Sequence, residues 1–271
     1  MNNQIIVIKY GGNAMVSEEL KKAVLEDVVA LQKMGYKPVV SHGGGPGINK
    51  MLKALDIPTH FVNGLRYTDA ATLDAVEAVL IGQVGTGLVS RLEAAGGKAV
   101  GLSGVSGQLY HCRLQDEIYG LVGEIDAVNT EVVEAVLEKG FIPVVAPIGT
   151  DGCGQDYNIN GDTAAAMLAS ALKAEKLLLL TDIEGLCNSI EKRDVIAYLN
   201  VKDVPALKEK GVIAGGMLPK VDGCVKAIEE GVGSVHIIDG RRPHSILDVF
   251  TKAEPGGTEI GTEKESIGIK E

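Results

Sequence analysis

The chain has 271 residues, 45% of them hydrophobic, and a formal net charge of −10 at pH 7. This size allows a large core in one domain or two, and the acidic balance, without a basic block, predicts that the protein does not bind nucleic acid. The sequence has no run of 18 apolar residues and no recognisable signal peptide, so we expect no membrane partner and a cytoplasmic location. The four cysteines are widely spaced, without a CxxC pair, which indicates reduced thiols and no metal bound by the protein.

Short aliphatic runs alternate along the chain with segments in which apolar residues recur three and four positions apart. The aliphatic runs predict strands at 5–9, 38–41, 98–102, 142–146, 176–181 and 234–239. The periodic segments predict helices at 18–34, 46–55, 70–95, 130–139, 161–173, 203–210 and 217–230. Hairpins are indicated over 107–126, and the tail 253–271 is expected to hold one short strand or none. This order predicts an α/β fold, a three-layer αβα sandwich with a mostly parallel central sheet.

Two glycine-rich turns are the most informative feature of the sequence. Gly11 and Gly12 follow the first predicted strand, and Gly43–Gly45 follow the second. A turn of this kind exposes backbone N–H groups at the start of a helix, where they can bind an anion. Lys9 leads into the first turn, either as a phosphate ligand or as a lysine that snorkels from a strand end. Together these residues predict a phosphate-handling site, and phosphoryl transfer is the first hypothesis.

The common phosphate-binding sequences GxxxxGK(S/T) and GxGxxG are absent, which disfavours a P-loop enzyme and a dinucleotide-dependent dehydrogenase. The sequence from His42 to Gly45 resembles the oxyanion-hole turn of lipases. An acyl hydrolase would also need a GxSxG nucleophile turn, and the chain has none. We therefore interpret His42 as a structural residue of the turn and not as a base.

Two further cations lie at positions that suggest anion binding. Lys220 is at the start of the predicted helix 217–230, where the helix dipole disfavours a cation unless an anion, such as a nucleotide, compensates it. Arg66 lies in a turn before a predicted helix cap at Thr68 or Asp69, and its guanidinium can bind a carboxylate in bidentate fashion. For both residues the alternative is a solvated surface side chain.

Polar residues alternate just before the predicted helix at 161–173. Asn158 and Asn160 would lie on one side of an extended segment, and Asp162 or Thr163 is placed to cap the helix. Capping alone would explain Asp162. It would not explain three polar side chains directed to one place, so this segment is a further candidate for the site.

These features together closely resemble the amino acid kinase family over nearly the whole chain, and within it the members that act on N-acetyl-L-glutamate. The resemblance is carried by six segments, namely Lys9–Gly12, His42–Gly47, Phe61–Arg66, Asn158–Asp162, Thr181–Gly185 and Gly215–Lys220. It implies that the γ-phosphoryl group of ATP is transferred to the side-chain carboxylate of N-acetyl-L-glutamate, a step of arginine biosynthesis. It also implies that Mg²⁺ is held mainly by the nucleotide phosphates.

The resemblance assigns roles to individual residues. The catalytic set that it implies is Lys9, Lys220, Asp162, Gly12 and Gly45, with Asp162 holding the two lysines in place. The implied substrate-binding set is Gly44, Gly45, Arg66 and Asn158. The implied nucleotide-binding set is Gly11, Thr181, Asp182, Gly185, Leu186, Cys187, Val212, Ile213 and Ala214.

Organisation and assembly are likewise expectations from the resemblance. Residues 1–176 would form a lobe for the amino-acid substrate and the dimer contact, and 177–271 a nucleotide-binding lobe. The absence of an additional helix before the first strand favours an arginine-insensitive homodimer. The alternatives that remain open are an aminoadipate- or glutamate-type carboxylate kinase of the same fold and a non-catalytic nucleotide-binding module.

Overall fold

The structure is a computed structural model that describes residues 4–11, 17–188 and 194–269. Its strands are β1 (Ile5–Tyr10), β2 (Lys37–His42), β3 (Phe61–Val62), β4 (Leu65–Arg66), β5 (Ala99–Ser103), β6 (Tyr110–Leu114), β7 (Gly123–Val128), β8 (Ile142–Ala146), β9 (Ile148–Thr150), β10 (Asp156–Asn158), β11 (Lys176–Thr181), β12 (Tyr198–Asn200), β13 (Ser234–Asp239) and β14 (Thr258–Gly261). Its α-helices are α1 (Glu18–Lys33), α2 (Gly45–Ala54), α3 (Ala70–Glu77), α4 (Thr86–Ala94), α5 (Glu131–Glu138), α6 (Gly161–Ala171), α7 (Val204–Glu209), α8 (Met217–Glu229) and α9 (Ser245–Thr251).

The central sheet has eight strands in the order β12-β14-β13-β11-β1-β2-β8-β5. Neighbouring strands are parallel except for the antiparallel pair β13 and β14. In the register of the sheet, Lys9 lies opposite Ser41 of β2 and Leu179 of β11. The two glycine turns therefore leave the sheet from adjacent strands at the same edge, which is where ligands of parallel sheets are bound.

The side chains of the sheet alternate between two cores, and this alternation produces three layers. On one face Val7, Leu177 and Leu179 join a buried cluster with residues of α6 and α8. On the other face Ile6, Ile8, Leu178 and Leu180 join a second cluster with residues of α1, α4 and α9. The predicted αβα sandwich with a mostly parallel sheet is confirmed. Near-continuous apolar runs such as Leu177–Leu180 are expected for strands covered on both faces.

A second, four-stranded sheet with the order β10-β9-β6-β7 lies outside the central one. The predicted hairpin region contributes the antiparallel pair β6 and β7, and the tail forms the single strand β14. The apolar pattern did not predict the hairpin β3-β4 or the strands β9, β10 and β12, whose strands have two or three residues each. It also missed α9. Elements this short are too brief to show a periodic apolar pattern.

The predicted helix 70–95 is a helix with a defect. Between α3 and α4 the segment Ala78–Gly85 is π-helical. A π segment contains an extra residue per turn, and such insertions occur frequently at functional sites. By length and composition the helix Ala70–Ala94 could cross a membrane. Its most apolar 18-residue stretch has a mean hydropathy of 1.3 and is 44% buried. It packs against α2, β5 and β8. A helix in the core of a protein can have the same length and apolar composition.

Candidate active site

Lys9, Asp162 and Lys220 meet at the carboxyl edge of the sheet. The Nζ atom of Lys9 lies 2.8 Å from Oδ1 of Asp162, and Lys220 Nζ donates a hydrogen bond of 2.7 Å to Oδ2. Burial of Asp162 opposes its ionisation, but the charges of Lys9 and Lys220 outweigh burial and lower its pKa to about 2. The carboxylate is therefore ionised at neutral pH, and the three groups together carry one net positive charge.

Lys220 occupies the first turn of α8, as predicted, but its anionic partner is a protein side chain. Asp162 pairs with Lys220 in the structure, and the nucleotide that the sequence suggested as a compensating anion stays a prediction. The predicted cap of α6, by contrast, is wrong. Asn160, and not Asp162 or Thr163, caps α6, because its side-chain oxygen accepts hydrogen bonds from the backbone N–H groups of Asp162 and Thr163. This leaves the Asp162 carboxylate available for the lysines.

The glycine turns and the start of α6 converge on the same point. A Cβ atom added to Gly11 would lie 3.3 Å from Lys9 Nζ and 3.6 Å from the backbone nitrogen of Gly43. A Cβ atom on Gly161 would lie 4.0 Å from the Cα atom of Gly43. A Cβ atom on Gly45, by contrast, would meet nothing within 4 Å. Backbone and lysine thus approach closely, and the N-terminus of α2 at Gly45 is open to a ligand. The predicted catalytic residue Gly12 lies outside the described residues.

A cavity of about 270 Å³ joins these groups to the predicted substrate side. Its lining includes the predicted residues Lys9, Gly11, Gly44, Gly45, Arg66, Asn158 and Asp162. A second cavity of about 600 Å³ shares Asp162 with the first and extends between α6 and α8 along Lys220. The two lysines and Asp162 therefore lie where the two cavities meet.

Arg66 forms one wall of the smaller cavity. Its Nη2 atom donates a hydrogen bond of 2.6 Å to Oδ1 of Asn49, and its guanidinium lies 4.9 Å from the ring centre of Phe61. Its Nη1 atom is buried and has no hydrogen-bond partner among the described residues. Burial lowers the pKa of Arg66 from its usual value. A buried guanidinium that is paired only with neutral groups and aromatic carbon is suited to an anionic ligand.

Asn158 is the second predicted substrate residue, and Thr68 holds it in place. The side-chain amide nitrogen of Asn158 donates a hydrogen bond of 3.1 Å to Oγ1 of Thr68, whose hydroxyl donates one of 2.9 Å to the carbonyl of Arg66. Thr68 is fully buried. With its nitrogen so used, Asn158 retains its side-chain oxygen as an acceptor. The sequence analysis missed both Asn49 and Thr68. It treated Thr68 only as a candidate helix cap, and the cap is Asp69.

The predicted nucleotide residues lie apart from the described lining of the smaller cavity, with the exception of Gly11. Thr181 ends β11, and its hydroxyl donates to the carbonyl groups of Ile183 and Ile238. Leu186 and Ile213 are buried in the same apolar cluster. Gly185 has a φ of 151°, and a Cβ there would lie 2.7 Å from Val195. The remaining members of this set, Asp182, Cys187, Val212 and Ala214, belong to the same two segments, 181–187 and 212–214.

Protein ligands for a metal do not gather at this site. Within residues 4–11, 17–188 and 194–269, no three His, Cys, Asp or Glu side chains come together in a way that could hold a metal ion. Asp162 is the carboxylate nearest the junction of the cavities, and both its oxygens are engaged by lysines.

The chain belongs to the amino acid kinase family, whose model matches residues 4–239. Two similar proteins are named acetylglutamate kinase. The one from Carboxydothermus hydrogenoformans is 50% identical over 93% of this chain and 90% of its own length, and the one from Syntrophomonas wolfei is 51% identical over 91% and 87%. Among solved structures, N-acetylglutamate synthase from Neisseria gonorrhoeae, complexed with coenzyme A and N-acetyl-glutamate, superposes with a TM-score of 0.80. It is 25% identical, and the match covers 97% of this chain and 60% of that one.

Proposed function

We propose that this protein transfers the γ-phosphoryl group of ATP to the side-chain carboxylate of N-acetyl-L-glutamate, forming N-acetyl-L-glutamyl 5-phosphate for arginine biosynthesis. The observation that carries the proposal is the Lys9–Asp162–Lys220 cluster, which adjoins Gly11 and a cavity lined by Gly44, Gly45 and Arg66. The acetylglutamate kinases that are about half identical to this chain support the same acceptor.

The chemistry of the acceptor determines what the protein must supply. A carboxylate is already a nucleophile at neutral pH, so the reaction needs alignment and charge stabilisation and no general base. Lys9 and Lys220 would neutralise charge on the transferring phosphoryl group, and the backbone N–H groups of Gly12 and Gly45 would add donors. Asp162 would hold both lysines in position. Its pKa of about 2 makes it unsuitable as a base.

Arg66 and Asn158 would bind the amino-acid end of the acceptor. The guanidinium of Arg66 would take the α-carboxylate, and Asn158 the acetamido group or the carboxylate, since its side-chain oxygen is free of Thr68. Gly44 and Gly45 would contribute backbone donors where α2 begins. Recognition of an acylated amino group is what would distinguish this acceptor from L-glutamate.

ATP would bind at the carboxyl edge of the sheet, with its phosphates next to Gly11. The remaining contacts would come from Thr181, Asp182, Gly185, Leu186, Cys187, Val212, Ile213 and Ala214. Mg²⁺ would be held mainly by the phosphates, where it would neutralise their charge. The nucleotide half would then correspond to a lobe of residues 177–271 and the acceptor half to residues 1–176.

We also propose a cytoplasmic homodimer that involves neither nucleic acid nor membrane. The apolar helix Ala70–Ala94 supports a contact between two copies, because Ile81 is 42% exposed on its π-helical segment. Light scattering of the purified protein measures its mass directly. An Ile81→Lys variant that remains dimeric would overturn this choice of interface.

The test of the function is ADP release from Mg-ATP with N-acetyl-L-glutamate, L-glutamate or 2-aminoadipate, together with trapping of the acyl phosphate by hydroxylamine. We expect turnover and hydroxamate only with N-acetyl-L-glutamate. Equal turnover with L-glutamate or 2-aminoadipate would show that the enzyme does not require the acetylated amino acid as its acceptor. ADP release without hydroxamate would exclude a carboxylate acceptor, and no turnover with any acceptor would favour a nucleotide-binding module.

A further inference from the structure

His42 is the last residue of β2 and directly precedes the glycine turn Gly43–Gly45. Its side chain is completely buried. Burial lowers its pKa to about 4, so the ring is neutral at physiological pH. A buried ring that is neutral at physiological pH offers no charge to a ligand. Its function must therefore come from its hydrogen bonds and its shape.

The protonation of the ring follows from its contact with the turn. Nδ1 of His42 lies 3.1 Å from the carbonyl oxygen of Gly43. A carbonyl can only accept, so Nδ1 carries the hydrogen and Nε2 carries the lone pair. A trans peptide directs its C=O and N–H in opposite directions, so holding the Gly43 carbonyl toward the ring turns the N–H of Gly44 away from it. Gly44 and Gly45 line the cavity next to Lys9.

The other ring nitrogen shows that this orientation has a cost. Nε2 is buried and has no hydrogen-bond partner among the described residues. An unpaired buried acceptor is unfavourable, and an aliphatic or phenyl side chain would fill the space without it. A histidine at this position is therefore explained by its other nitrogen, the donor to Gly43.

The π-helical segment Ala78–Gly85 packs against the imidazole ring of His42. A Cβ atom on Gly85 would lie 3.3 Å from His42 Nε2 and 3.1 Å from the carbonyl oxygen of Leu80. A Cβ atom on Gly44 would lie 2.7 Å from Cδ2 of Leu80. The turn, the imidazole and the π segment Ala78–Gly85 are thus in direct contact, and two glycines permit this close approach.

We propose that His42 is a positioning residue for phosphoryl transfer. Its Nδ1–H fixes the Gly43 carbonyl and thereby the N–H groups of Gly44 and Gly45, which face the reacting end of the acceptor and the phosphoryl group that it receives. The π segment holds the ring in that orientation. This inference rests on the proposed function. Misplacing such donors by about 1 Å lowers the rate by about 10²-fold, so we expect losses on the order of 10–100-fold in kcat.

Two substitutions at His42 separate hydrogen bonding from packing. In His42→Asn the side-chain nitrogen occupies the position of Nδ1 and can donate to Gly43, whereas in His42→Gln the amide is one bond further out. We expect His42→Asn to retain kcat within about threefold, and His42→Gln to lose about 10–100-fold in kcat with KM values changed by less than about threefold. Binding of ADP with aluminium fluoride, a mimic of the transferring group, should weaken in parallel with kcat, and binding of ADP alone should not.

A pair of glycine substitutions tests the π segment without altering His42. Gly85→Ala places a methyl group against Nε2, whereas Gly82→Ala in the same segment meets nothing within 4 Å and serves as the control. We expect a loss of kcat for Gly85→Ala alone. A wild-type enzyme without turnover on any acceptor would overturn the proposed function and this inference with it. An active wild type in which the Asn and Gln variants lose equal kcat, or in which Gly85→Ala matches Gly82→Ala, would overturn the inference alone.

Discussion

Replacement of Asp162 by asparagine is the most direct test of how the site is organised. Asp162→Asn keeps the shape of the side chain but removes the charge that lies 2.8 Å from Lys9 and 2.7 Å from Lys220. The two lysine nitrogens can be at most about 8 Å apart, where like charges repel by at least about 2 kcal/mol at an effective dielectric constant of about 20. The repulsion alone corresponds to about 30-fold in rate if it is borne by the transition state.

The lysines would also lose the acceptor that orients them, so the full effect is larger. We expect kcat to fall by about 10²–10³-fold, the usual range for a lost charge-stabilising contact, with a smaller change in KM for N-acetyl-L-glutamate. The assay is steady-state ADP release from pH 5 to pH 9. Asp222→Asn is a matched control, because Asp222 is an exposed carboxylate of α8 that pairs with Lys208.

The pH profile distinguishes a positioning aspartate from a base. Since its pKa is about 2, Asp162 stays ionised throughout this range, and the wild-type profile should contain no acid limb that depends on it. A wild-type acid limb that disappears in Asp162→Asn would identify a general base and refute the reasoning. Retention of more than about a third of wild-type kcat in Asp162→Asn would refute it equally, since the repulsion alone exceeds that loss.

Three further predictions concern the proposed acceptor-binding residues and the hydrogen bond between His244, which precedes α9, and Asp27 of α1. Thr68→Val should raise the KM for N-acetyl-L-glutamate about tenfold in steady-state kinetics, because it removes the hydrogen bonds to Asn158 and to the Arg66 carbonyl. Arg66→Lys should raise that KM about 10–100-fold through loss of bidentate geometry, and an unchanged KM would place the α-carboxylate elsewhere. A hydrogen bond of 2.7 Å to Asp27 raises the pKa of His244, and burial raises that of Asp27. Both folded-state pKa values lie above the unfolded ones, so the contribution of this pair to stability should be lost as pH rises through the folded-state pKa of His244. Melting temperatures from pH 6 to pH 9 should show a decline that His244→Gln abolishes.

The sequence predicted the parts of the site that depend on local pattern. The glycine turns follow strands, Lys9 lies near the end of β1, and Lys220 lies in the first turn of α8. The bounds of these elements can be predicted from apolar spacing, and the carboxyl edge of the sheet brings the residues together. The αβα layering was predictable for the same reason, because long runs such as Leu177–Leu180 have no polar face.

The relations between distant segments were not predictable from pattern. Thr68 and Asn158 are 90 positions apart and meet because the backbone of the segment 119–122 forms hydrogen bonds with both of them. The cap of α6 was misplaced since Asn160, Asp162 and Thr163 are all good capping residues, and only the course of the backbone decides among them. The π segment has no periodic signature of its own, because one additional residue in a long apolar helix leaves its composition unchanged.

The cations of the site differ in how they are paired, and the difference follows the work that each must do. Lys9 and Lys220 share an acidic partner that fixes their positions. Under the proposed function this arrangement suits groups that stabilise charge as it develops in the transition state. Arg66 has the neutral partner Asn49, so its full charge would remain available to the α-carboxylate of the proposed acceptor. Exchanging the acidic and the neutral partner would be unfavourable both at Arg66 and at the two lysines. An acid beside Arg66 would compete with the acceptor for the guanidinium, and a neutral residue at 162 would leave two cations in mutual repulsion in the free enzyme.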